Sequence, residues 1–127
     1  MTKREAALKS AFFREFAQYF PHYYVLKHSN RAAPDCAIHG AGHVTTWEFK
    51  HGTPTFETKG DQVLFCMRLA VANHCRFVIW QEKADGNQRT MIVHPRMVHE
   101  GNLVPDAACV GFDHRWLVEQ VRKAHRA

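Results

Sequence analysis

Asp35, Glu48 and Lys50 are the residues whose types and spacing could do chemistry. They stand in the stretch from Ala33 to Lys50, Ala-Pro-Asp-Cys-Ala-Ile-His-Gly-Ala-Gly-His-Val-Thr-Thr-Trp-Glu-Phe-Lys. It reads as two short strands joined by a Gly-Ala-Gly turn. Successive strand side chains point to opposite faces, so Glu48 and Lys50 share one face while Trp47 and Phe49 share the other. With the aromatic pair in the core, a carboxylate and an ammonium are held side by side at a strand end. Asp35, just after Pro34 at the start of the preceding strand, can lie across from Glu48. Two carboxylates and a lysine so placed could hold a divalent cation beside an attacking water. The same Glu-x-Lys spacing also belongs to the solvated face of an edge strand, and spacing alone leaves both readings open.

The elements that must position these groups can be read outward from that stretch. Thr2 to Phe20 has the period of an amphipathic helix, with Leu8, Phe12, Phe16 and Tyr19 on one apolar stripe widened by Phe13 and Phe20. Thr2 followed by Glu5 has the form of a capping box. Glu5 falls on the apolar stripe, so it serves either the cap or the acidic cluster; Glu15, at the edge of the stripe, is its rival. Pro21 ends the helix, and His22 to His28 is a strand candidate rich in aromatic and branched residues.

After Lys50 a loop with Gly52 and Pro54 leads to Thr58, which with Asp61 can cap a helix running to about Asn73. Val63, Met67, Ala70 and Val71 are its expected buried face, and Gln62 sits in its first turn. Arg76 to Gln81 is an apolar run typical of a central strand. The turn signal Asp85-Gly86-Asn87 and the strand Arg89 to His94 make a hairpin with it. Residues 95–106 read as irregular. Asp113 caps a last helix to about Arg126, with Trp116, Leu117, Val118 and Val121 on its core side and Arg115, Arg122, Lys123 and Arg126 opposite.

Composition is consistent with one globular domain over residues 1–127, with 46% apolar and 23% charged residues. No apolar run has the length of a membrane span, and the N-terminus is not a signal peptide. Cys36, Cys66, Cys75 and Cys109 lack Cys-x-x-Cys spacing and read as reduced thiols of a cytoplasmic protein. The net charge of +5 favours polyanions, nucleic acid first. None of the ten histidines has zinc-finger or zincin spacing, so they read as scattered surface residues. A glycine-rich phosphate loop and a Gly-x-Ser-x-Gly elbow are both missing.

Pro34-Asp35, a hairpin, then Glu48-Phe49-Lys50 resembles the PD-(D/E)xK nuclease superfamily, and within it the small VRR-NUC and Holliday-junction-resolvase-like nucleases. The element order helix, three strands, helix, strand is similar to the αβββαβ core of that superfamily over residues 2–82. The resemblance implies an α/β (α+β) fold, a mixed sheet flanked by helices, to which a C-terminal strand and helix are added here. It implies a Mg²⁺- or Mn²⁺-dependent DNA endonuclease with Asp35, Glu48, Lys50 and Gln62 as catalytic residues. Asp35, Glu48, the backbone carbonyl of Phe49 and Glu5 would ligate the metal. Relatives often have glycine before the Pro-Asp where this chain has Ala32-Ala33.

Lys27, Arg31, Lys59 and Arg68 are the candidate DNA contacts, with His28 and the basic face of the last helix beside them. Small stand-alone relatives often act as homodimers on branched DNA. That implies a structure-selective or non-specific cutter, joined through the last helix or the 89–94 strand. The alternative is a catalytically silent nucleic-acid-binding or protein-interaction module of the same fold.

Overall fold

The computed structural model describes residues 3–28, 33–111 and 113–126, without the side chains of Lys3, Arg4, Glu5, Leu8, Phe56 and Thr58. The elements run α1 (Lys3–Tyr19), β1 (Tyr24–Lys27), β2 (Cys36–Gly40), β3 (His43–His51), α2 (Phe56–Ala72), β4 (Cys75–Glu82), β5 (Gln88–Val93), α3 (Pro95–Glu100), β6 (Ala107–Val110) and α4 (His114–Ala124). One mixed sheet holds the six strands in sequential order, β1-β2-β3-β4-β5-β6. Only β3 and β4 pair in parallel, because the α2 crossover joins them; every other neighbour is antiparallel.

Period-two alternation divides the sheet between two cores. Trp47, Phe49, Val78 and Ile92 face α1 and α4, meeting Phe12, Phe16, Leu117, Val118 and Val121. Phe77, Ile79, Met91 and Val93 face the other way, against Val63 and Cys66 of α2 and Val98 of α3. Full burial of each such side chain contributes about 1.5–3 kcal/mol. β5 is paired on both sides, so an interface through the edge of the 89–94 strand is ruled out by its position; the sheet edges are β1 and β6.

The hairpin turn between β2 and β3 is two residues long. Gly40 pairs with His43, leaving Ala41 (φ 52°) and Gly42 (φ 78°) as its centre. Positive φ at both positions is the turn whose twist matches the flanking strands. Gly40 itself is needed for space, since a Cβ there would meet the Tyr23 ring at 2.5 Å.

Several sequence expectations are corrected. Tyr19 is 52% exposed rather than part of the buried stripe of α1, and Val71 is 90% exposed, its expected place on α2 being taken by Cys66. The backbone of α2 starts at Phe56 and is interrupted at Lys59 (φ −133°, ψ 27°), so the helix begins before Thr58; the capping residue Thr2 and the Thr58 side chain lie outside the described residues. The span expected to be irregular contains α3, with the His94 side chain accepting from Arg96 N–H, Pro95 in the first turn and Gly101 in the left-handed region as C-cap. β6 follows, supplied by the Ala-Ala-Cys-Val run. Asp113 does cap α4, its carboxylate accepting from the backbone N–H groups of Arg115 and Trp116 at 3.0 and 3.2 Å.

Nor are the histidines all on the surface. His125 is 2% exposed, its Nδ1 at 2.9 Å from the Gly40 carbonyl and its Nε2 at 2.8 Å from Thr45 Oγ1, and that hydroxyl oxygen accepts from Trp47 Nε1. His74 packs its ring on Trp47 at 4.8 Å. Burial, then the charges of Arg76 and His125, push the His74 pKa down to about 4, and burial lowers that of His125 as well. The unfolded chain therefore takes up these protons first, near pH 6.5. Their contribution to stability is intact above that pH and lost as pH falls toward 4, by about 3 kcal/mol for His74. Urea unfolding across that window is expected to show a smaller acid-side loss in His74→Phe, which keeps a ring against Trp47. An identical loss in both proteins would refute the assignment.

Candidate active site

Glu48 and Lys50 lie on the α2 face of β3, paired across the parallel ladder with Phe77 and Ile79. Because β3 is interior and helices cover both faces of the sheet, Glu48 is only 2% exposed and Lys50 only 9%. The solvated edge-strand reading of Glu-x-Lys is thereby excluded. Trp47 and Phe49 point into the opposite core, where Phe49 packs against the rings of Phe12 and Phe13 at 5.2 and 6.2 Å. Thus the alternation that fills one core fixes the charged pair in the other layer.

Asp35 stands immediately before β2, where the register Cys36 to Trp47 continues to bring it opposite Glu48. One of its oxygens, Oδ2, accepts from the Phe49 backbone N–H at 2.8 Å, extending the ladder by a side chain. Its other oxygen, Oδ1, accepts from Lys9 Nζ of α1 at 2.9 Å. Glu48 Oε2 pairs with Lys50 Nζ at 3.0 Å, while Glu48 Oε1 is buried and accepts no hydrogen bond. Burial first, then the negative charge of Asp35, drive the Glu48 pKa up to about 8 against the opposing pull of Lys50.

A buried carboxylate beside a second carboxylate is costly unless a proton or a cation completes it. The donor set fits a hard, oxygen-seeking divalent ion that keeps part of its water shell. Among the described residues no group of three or more His, Cys, Asp and Glu side chains is arranged to hold a metal. The described side chains thus offer two carboxylates.

The other expected site residues are distributed as follows. The Glu5 side chain and Arg31 lie outside the described residues. Glu15 is turned to α4, where its Oε1 lies 2.9 Å from His114 Nε2. Gln62 is half-buried on α2, just past the Lys59 interruption and one residue before the inward Val63. Lys27 closes β1 next to the start of β2, its ammonium 4.7 Å from the centroid of the Phe13 ring. Lys59 is exposed at the start of α2, and Arg68 is exposed further along the same helix.

His51 stacks edge-on to Trp80 and lies 3.9 Å from Glu82, one residue beyond Lys50. Lys9 is the site residue that sequence reasoning missed. It stands one turn before Phe12 and Phe13 on α1, so helical periodicity carried a signal for its direction. No helix among the described residues is long and apolar enough to cross a membrane. Comparison with known proteins finds no matching family model and no matching curated sequence.

Proposed function

We propose that this chain is a Mg²⁺- or Mn²⁺-dependent DNA endonuclease with a PD-(D/E)xK-like core, acting on branched DNA or without structural preference. The observation that supports it most is Glu48, buried at 2% with Oε1 accepting no hydrogen bond while Asp35 and Lys50 stand beside it. Nothing in the two apolar cores requires that arrangement, and perturbed buried carboxylates cluster at functional sites. The antiparallel β1-β2-β3 meander followed by a parallel β4 is compatible with the αβββαβ order.

In this reading Asp35, Glu48 and the Phe49 carbonyl hold the ion, with Glu5 as a further candidate. The bound ion supplies positive charge to the scissile phosphate and acidifies its water. Lys50 orients the attacking water and neutralises a phosphoryl oxygen. Asp35 is kept in place by the Phe49 N–H, so its direction does not depend on substrate. Gln62 assists Lys50, and Lys27, Arg31, Lys59 and Arg68 contact phosphates, which position the duplex without reading sequence. A homodimer would join through α4. Free, buried Cys36, Cys66 and Cys75 suit a reducing compartment such as the cytoplasm.

The test is cleavage of labelled single-stranded, duplex, flap and four-way-junction DNA with Mg²⁺, Mn²⁺ or EDTA. Lys50→Met is expected to retain Mn²⁺ binding but to cut about 10²–10⁴-fold more slowly. One observation favours a second reading, a silent nucleic-acid-binding module. Lys9 and Lys50 already balance Asp35 and Glu48 without any ion. Folded protein that binds DNA equally in EDTA and cuts nothing would establish that module instead.

A further inference from the structure

Lys9 gives the site a second ammonium, and its geometry suggests what that charge does. It is delivered by α1 from one turn before Phe12, which is 1% exposed and packs on the Phe49 ring at 5.2 Å. The Phe49 backbone holds one Asp35 oxygen and Lys9 holds the other, at 2.8 and 2.9 Å. The ion pair is largely shielded, with side-chain exposures of 16% for Lys9 and 15% for Asp35. Each Asp35 oxygen thus has one donor and one lone pair left over.

We infer that Lys9 is the resident counter-cation of Asp35, a positioning residue that competes with the divalent ion for the same carboxylate. The inference rests on the metal-dependent reading above. In the metal-free protein the Lys9 ammonium balances the charge of Asp35 and keeps Asp35 aimed at the site. A divalent ion arriving at Asp35 meets a like charge on the same oxygen, so binding of the ion and the Lys9 contact oppose each other. The coupling is reciprocal: whatever Lys9 adds to the metal-free site, it subtracts from metal affinity. Its effect is to make occupancy depend on the prevailing metal concentration and to let the ion release an ammonium beside the substrate phosphate.

The experiment is Mn²⁺ titration by calorimetry, with thermal unfolding in EDTA and in saturating Mn²⁺. Wild type, Lys9→Met, Lys9→Arg and Glu48→Gln are compared. Lys9→Met is expected to bind Mn²⁺ about tenfold more tightly, as loss of a shielded like charge requires. It should unfold at a lower temperature in EDTA and recover the wild-type temperature in saturating Mn²⁺, while Lys9→Arg keeps wild-type affinity. Unchanged or weaker affinity in Lys9→Met, with the same thermal loss in both buffers, would make Lys9 a structural clamp and overturn the inference. Mn²⁺ binding that appears only in Lys9→Met would support it in its strongest form. Heat of binding absent from every variant would instead overturn the metal-dependent reading underneath it.

Discussion

Glu48→Gln is expected to abolish metal-dependent cleavage while stabilising the metal-free protein at pH 8. On the proposed metal-dependent reading, loss of a direct ligand would remove several kcal/mol of transition-state stabilisation, about a thousandfold or more in rate. The stability change has the opposite sign. The Glu48 pKa is raised from 4.5 to about 8 on folding. Its stability contribution is therefore fully present below pH 4.5 and is lost as pH rises through 8, because the folded state must surrender a proton that the unfolded chain has already lost.

The total is on the order of 5 kcal/mol. An amide does not titrate, and it can accept from Lys50 while donating toward Asp35. Urea midpoints at pH 5 and pH 8 should therefore fall for the wild type but stay level for Glu48→Gln, once the histidine effect at the acid end is allowed for. If the proposed metal binds, it should reverse the wild-type loss by taking the place of the proton on Glu48. Equal cleavage by wild type and Glu48→Gln would end the assignment of Glu48 as a ligand.

Phe49→Ala is expected to cost about 3–5 kcal/mol, a large share of the stability of a chain this size. The ring is 1% exposed and lies between β3 and the Phe12 and Phe13 rings of α1. Truncation leaves a cavity where the first helix meets the central strand. The same residue supplies the N–H that holds Asp35, so the cavity also loosens the strand that frames the site. Chemical denaturation gives the number, and a loss below about 1 kcal/mol would show that α1 repacks without it. Mn²⁺ affinity measured on the folded fraction should fall with it, since both carboxylates depend on the position of β3.

Much of the frame was legible in the chain because periodicity is a local property. The alternation Trp47, Glu48, Phe49, Lys50 separated the apolar face from the charged one, and β3 follows it. Phe12 and Phe16 were expected inside and are, whereas Tyr19 is not, because the buried line continues from Phe16 to Phe20 and Tyr19 lies to its side. Asp113 announced α4 through its capping chemistry. The Pro95 and Gly101 pair announced α3 equally well, but the six-residue helix between them is too short for a periodic signal. β6, four residues with two alanines, has little β-branched character and exists because β5 offers it a ladder.

By itself, the sequence determined which side chains share a face on β3, where α4 begins and that two carboxylates and a lysine could converge on one strand end. The tertiary structure alone decided that β3 is interior, and hence that Glu48 is buried and its proton held to about pH 8. It also brought Lys9 to Asp35 across 26 positions of chain and turned Glu15 away to His114. The physical reason is the same in each case. Side-chain direction follows from local backbone geometry, but dielectric, desolvation and ion pairing depend on which other element covers that side chain.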